Sequence, residues 1–261
     1  MNEEAKRFVE ASYAQGVDLV KLMVTGGVLD AKEKGVPGEM KMPEDMIQTI
    51  CKKAHQLGLL TSAHVESTEG VKAALRNGVD SIEHGAKPDQ EMIDLFKEKK
   101  AFLITTLSPA LPFALFDPSV SKVDDTQLFN GKMVFDGIVE CSKAALENHI
   151  PVGLGNDVGC PWITQYDFYR ELVYFHKYVG VTNGFALYTA TLQNAILAGI
   201  SDVTGSIDAG KQADMIVVKE NPLDDLNALK NIDIVFTKGK MVHPKIKRDK
   251  EIEKRLDAFC K

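Results

Sequence analysis

Short apolar runs alternate with longer amphipathic stretches from the start of the chain to about residue 178. Two parallel strands cannot be joined by a tight turn and need a crossover, usually a helix, so this alternation predicts βα units around a parallel sheet. The first predicted strand is Val17-Asp18-Leu19-Val20-Lys21-Leu22-Met23-Val24, which follows a helix over about 3–15 and stops at Gly26-Gly27. Met42-Pro43-Glu44-Asp45 opens the next helix, with proline and acids in the first turn where the helix dipole favours them, and Gly58 closes it. Further strands are predicted at 59–65, 81–84, 102–107 and 151–157. They are separated by helices over about 68–77, 89–99 and 130–148 and by a long loop holding Pro109, Pro112 and Pro118. A final helix near 165–178 completes five βα units.

The texture changes after Thr182. A helix over about 183–198 leads into Gly205 to Val218, where turn residues flank two short predicted strands, and Ile232 to Phe236 with Lys240-Met241-Val242 predicts a hairpin through Lys238-Gly239. The expected division is a βα domain over 1–203, a small β segment over 204–243 and a charged tail over 244–261. Ile246, Ile252, Leu256 and Phe259 recur at near-helical spacing in the tail, which reads as a solvated helix with one weakly docked face.

Hydrophobic residues make up 44% of the 261-residue chain and charged residues 26%, which supports a core and argues against disorder. A net charge of −6 with no basic stripe argues against a nucleic-acid partner, since that affinity comes from Lys and Arg on phosphates. No apolar run approaches the ~20 residues that cross a bilayer, and the first residues, with Glu3, Glu4, Lys6, Arg7 and Glu10, lack the apolar stretch of a secretory signal. Cys51, Cys141, Cys160 and Cys260 are scattered without a CxxC pair and read as reduced thiols. The expectation is a cytoplasmic protein with neither a membrane nor a nucleic-acid partner.

In a βα array the loops beyond the strand ends vary freely over a rigid sheet, and function collects there. Lys21 lies within the first strand, His64 near the end of the second, His84 at the end of the third and Asp157 at the end of the fifth. Each has an ordinary reading alone: a histidine satisfied within the fold, an aspartate capping a turn, a lysine on an outward edge. Lys21, however, sits between Val20 and Leu22 in a strand expected to be buried on both faces, where an unpaired ammonium is costly. It needs a partner or a changed charge. Together the four strands offer four groups able to bind metal.

Val20-Lys21-Leu22-Met23-Val24-Thr25-Gly26-Gly27-Val28, Ser62-Ala63-His64, Asp80-Ser81-Ile82-Glu83-His84-Gly85 and Gly155-Asn156-Asp157 resemble the successive strand motifs of the amidohydrolase superfamily, in its prolidase-like and imidazolonepropionase-like branch. Gly205 to Val218 with Asn221-Pro222-Leu223 is similar to that superfamily's C-terminal segment, which returns to a small β-sandwich. The resemblance runs from Glu3 to Val242. It implies an α/β fold, a TIM-like (β/α) barrel with a metal centre at its C-terminal mouth. It further implies that Lys21 is carboxylated by carbon dioxide and bridges two divalent ions, zinc foremost, with His64 and His84 on the second ion. Asp157 is implied as a ligand of the first ion and as proton shuttle for the attacking water. The reaction implied is hydrolysis of a C–N amide bond in a small-molecule substrate, a dipeptide or N-acyl amino acid. Burial and nearby cations depress a lysine's pKa, giving the neutral amine that reacts with carbon dioxide.

The chain departs from the family in its first strand, which there carries a His-x-His pair; His55, His64, His84, His149, His176 and His243 form none. The first unit matches the family's fourth, so a partial barrel of family strands four to eight is expected, open at the Lys21 and Asp157 strands. Open edges invite pairing. The chain is therefore expected to be a fragment of a longer hydrolase, or to form a homo-oligomer or take a second chain that supplies the missing strands. A catalytically silent or structural remnant is the alternative to the enzyme. One metal position keeps only Asp157 and Lys21, the other keeps carboxylated Lys21, His64 and His84, so a single-metal centre is expected.

Glu66 stands where relatives often carry another histidine, two residues after His64, and reads as a solvated loop acid with a substrate contact as the alternative. Thr25-Gly26-Gly27 is either plain strand termination or a backbone turn against substrate, and Trp162 and Tyr166 either line a pocket or pack in the core. Gly153 to Gly159 spaces its glycines as GxGxxxG and so lacks the dinucleotide signature. His55 and His149 read as structural groups at helix C-termini, and His176 and His243 as surface groups.

Overall fold

A computed structural model describes residues 2–260; Met1 and Lys261, the outermost residues of the expected 1–203 and 244–261 segments, lie outside them. The chain divides into two compact units, one taking in the chain up to Thr105 with Ala110–Val152, the other Thr106–Pro109 with the chain from Gly153 onward.

The elements run α1 (Asn2–Ala14), β1 (Leu19–Met23), α2 (Glu44–Gln56), β2 (Leu60–Val65), α3 (Thr68–Arg76), β3 (Ser81–His84), α4 (Gln90–Lys99), β4 (Phe102–Thr105), α5 (Leu107–Leu115), α6 (Pro118–Ser121), α7 (Asp125–Glu147) and β5 (Val152–Leu154). β1 to β4 pair in parallel and the sheet runs β1-β2-β3-β4-β5, the sequential order of a partial TIM-like barrel. Local chemistry explains the pieces. Ile47, Ile50, Cys51 and Ala54 of α2 fall at helical spacing and are all buried. Ser67 caps α3 by accepting the Gly70 N–H at 3.3 Å. α7 starts earlier than periodicity predicts because Asp124 and Gln127 close a capping box.

Two expectations need correction. The proline-rich loop is largely helical: Pro118 opens α6, where a missing N–H costs nothing, and Pro112 lies within α5. β1 is buried on one face only. Val20 and Leu22 are covered, whereas Leu19, Lys21 and Met23 are exposed.

In the second unit α8 (Phe168–Tyr174) runs into a π-helical turn over Phe175–Val179 that ends at Gly180. α9 (Asn183–Tyr188) and α10 (Asn194–Leu197) are separated by another π turn over Thr189–Gln193. β6 (Met215–Val218) pairs antiparallel with β7 (Ile232–Thr237), which pairs with β8 (Lys240–Val242). The hairpin turns through Lys238 and Gly239, both at positive φ, and Gly205 to Val218 holds the single strand β6 where two were expected. The last helix, α11 (Lys250–Leu256), is docked rather than solvated: Leu256 is buried, and buried Arg170 of α8 meets Asp257 at 2.8 Å. Among the described residues no helix is long and apolar enough to cross a membrane, and the four cysteines are free thiols.

Candidate metal centre

Lys21, His64 and His84 all stand on the first unit. Parallel pairing sets Lys21 beside Ser62, Met23 beside His64, and His64 beside Glu83, so Lys21, His64 and Glu83 share the sheet face that β1 leaves open. Strict alternation would send His84 to the opposite face with Ile82. The backbone intervenes: His84 has φ +67°, and the Gly85 N–H donates to the Glu83 carbonyl at 2.8 Å, a tight three-residue turn that is strained for any residue with a Cβ. The turned His84 ring lies 4.7 Å from that of His64, edge to face at 73°.

The loop after β1 fixes the partner ring. His64 Nε2 donates to the Gly26 carbonyl at 3.2 Å, since a carbonyl only accepts, which leaves Nδ1 as the nitrogen that can carry a lone pair for a metal. A backbone carbonyl holding the far nitrogen is how metal-binding imidazoles are commonly oriented. His84 is buried; that burial, then the nearby charges of His64 and Lys21, hold its imidazole well below the usual histidine range. It is therefore neutral at pH 7, as a metal ligand must be. The same effect places the Lys21 ammonium within electrostatic reach of the His84 ring.

Sequence reasoning underweighted Glu66. Its carboxylate accepts the Val28 N–H at 3.0 Å, and its own N–H donates to Thr25 Oγ1 at 3.0 Å. One ligand atom from each of His64, Glu66 and His84 lies within 4.8 Å of the others. Tetrahedral metal bonds of about 2.0–2.2 Å set donors roughly 3.3–3.6 Å apart, so this donor set would hold one divalent ion after closing by up to about 1.5 Å. The signal available in the sequence was position alone, an acid two residues past a strand-end histidine.

Glu66 also lines a cavity of about 390 Å³ with Gly38, Ser67, Lys87, Asp136 and Glu140, a size suited to a small ligand. Asp157 stands on the second unit just past β5, half-buried, with φ +51°, and its carboxylate accepts the Cys160 thiol at 3.2 Å. Tyr166 accepts the Asp249 N–H at 2.7 Å, Arg248 and Arg255 lie over the Tyr166 and Trp162 rings, and Trp162 also lines a small cavity with Ser108 and Arg170. His55 contacts Asp80 at 2.9 Å and His176 the Val181 carbonyl at 2.7 Å, both outside the centre. Glu171 was also missed: it is fully buried and accepts from Leu107 N, Ser108 N and Ser108 Oγ at 2.6, 2.8 and 2.5 Å. Desolvation outweighs those donors and pushes its carboxyl up to about 7.

Residues 2–242 match the profile of the amidohydrolase family. The chain is similar to ochratoxinase of Aspergillus niger, 27% identical over 244 residues that make up 92% of this chain and 49% of that protein. Among solved structures it is similar to a provisionally assigned prolidase from Bifidobacterium longum, with a TM-score of 0.92 and 38% identity over 99% of this chain and 64% of that one. It is also similar to a Xaa-Pro dipeptidase with methionine bound in its active site, with a TM-score of 0.82 and 30% identity over 93% of this chain and 59% of that one. The chain thus spans about half the length of the curated relative and about six-tenths of the solved ones.

Proposed function

Because the chain belongs to the amidohydrolase family, we propose that it is a metal-dependent hydrolase of C–N amide bonds, acting on a dipeptide or N-acyl amino acid. The observation that carries this reading is the convergence of His64, Glu66 and His84 donor atoms within 4.8 Å at the strand ends. We assign the ion to His64 and His84 with Lys21 as the further ligand after carboxylation by carbon dioxide. Zinc is the proposed metal, with manganese, iron and cobalt suited to the same nitrogen and oxygen donors. A divalent ion held there supplies Lewis acidity, acidifying water and polarising the scissile carbonyl. The Gly26 carbonyl orients the His64 ring, and burial keeps the His84 imidazole neutral. Asp157 is assigned the proton: its carboxylate takes it from the attacking water and gives it to the leaving nitrogen.

For partners we propose the small-molecule substrate and a second polypeptide at the open β1 edge, either another copy or a separate chain; for location, the cytoplasm, where free thiols stay reduced. The test is elemental analysis of the purified chain after zinc and bicarbonate, beside an assay on N-acyl amino acids and Xaa-Pro dipeptides. About one equivalent of retained metal, with hydrolysis that a chelator abolishes, is expected. A chain that retains no divalent metal and cleaves nothing would refute the proposal.

A further inference from the structure

The turn that follows β1 holds two members of the donor set at once. Through the Gly26 carbonyl it orients the His64 ring, and through the Val28 N–H and the Thr25 hydroxyl it fixes Glu66 by side chain and by backbone. Thr25 Oγ1 in turn donates to the Gly26 carbonyl at 2.8 Å, which closes the set of contacts. The turn also lies close to the carboxylate: a Cβ on Gly27 would stand 3.0 Å from Glu66 Oε2 and 3.3 Å from Oε1, so the carboxylate would have to shift by a few tenths of an ångström. A glycine there is what lets the acid lie against the backbone.

From this geometry we infer that Glu66 is a further protein ligand of the metal centre, beside His64, His84 and Lys21, positioned by the Thr25–Val28 turn. The inference rests on the metal centre proposed above and adds a residue to it. Two imidazoles, the glutamate and the Lys21 carbamate are nitrogen and oxygen donors of the kinds zinc takes, and water would enter as a fifth ligand. Glu66 also borders the 390 Å³ cavity, so the same carboxylate links the ion to the space a substrate can occupy.

The test compares the full chain with its Glu66→Gln and Gly27→Ala variants, using zinc affinity by chelator competition and the visible absorption of the cobalt-substituted protein. Glu66→Gln keeps an acceptor for the Val28 N–H, so the turn survives and the loss reports on ligation. Zinc affinity is expected to fall by roughly tenfold or more, and the cobalt bands to shift in position and intensity. Gly27→Ala, which displaces the carboxylate without removing it, is expected to weaken zinc to a smaller degree. Unchanged affinity and an unchanged cobalt spectrum in Glu66→Gln would overturn the inference while leaving the metal-dependent hydrolase standing. A wild-type chain that binds neither ion would overturn both, and one that binds zinc through Glu66 but hydrolyses nothing would overturn the hydrolase alone.

Discussion

His84 reaches its neighbour from a backbone conformation that costs a non-glycine residue about 1–2 kcal/mol. That cost is understandable where the turn places an imidazole beside His64. His64 and His84, which the structure brings together, stood out in the sequence as polar residues at the ends of apolar runs, and Lys21 as a cation inside one. The turn at His84 was not, since a His-Gly pair does not announce which of the two residues takes positive φ. The expected burial of Lys21 failed because only one face of β1 is covered by helices. At Asp157 the proposed proton transfer predicts that Asp157→Asn lowers kcat by about 10²–10⁴-fold with zinc content unchanged; equal loss of metal would assign it a ligand's role instead. Glu171 predicts a pH dependence of stability. Its folded carboxyl is raised from near 4.5 to about 7, so its contribution is full below about pH 4.5 and is lost as pH rises through 7. Unfolding free energy is expected to fall by about 1 kcal/mol per pH unit within that window from this group, and Glu171→Gln to flatten the slope in denaturant titrations.

The C-terminal element shows what charge patterning conceals. A run of lysines, arginines and acids reads as a solvated face, and most such runs are. Here Arg248 donates to Glu253 at 2.6 Å and Asp167 at 3.2 Å, Lys230 meets Asp257 at 2.9 Å, and Arg170 lies at the centre with 2% exposure. Pairing across the fold, rather than along the helix, decides the docking, and no local pattern reveals it. Removing one partner of a buried ion pair strands the other, so Arg170→Ala is expected to cost about 3–5 kcal/mol and to open residues 250–260 to protease. An unchanged denaturation midpoint would mean that Leu256 and its apolar contacts hold the helix alone. The strands of the sheet were easier to read, because five apolar runs with helical spacers admit few arrangements besides sequential parallel order.

At the scale of the molecule, family membership was legible because strand motifs far apart in the chain agree, and each is short enough to survive divergence. The two-unit division was not, since the segment at residues 106–109 joins the unit formed by the chain beyond Gly153, and such a crossing leaves no mark on composition. β1 lies at one end of the sheet with Leu19 and Met23 about half exposed. An edge of this kind tends to recruit another strand. Light scattering is expected to give a discrete mass above that of one chain, and charged replacements of Leu19 and Met23 to lower it; a monodisperse single chain would remove the proposed partner. The most direct measurement is X-ray absorption at the zinc edge of the metal-loaded chain. Two imidazole nitrogens at about 2.0–2.1 Å with oxygen completing the shell are expected, and the imidazole signal should vanish in a His64→Ala, His84→Ala double variant. A first shell of sulfur, or of oxygen alone, would contradict a centre built on His64 and His84.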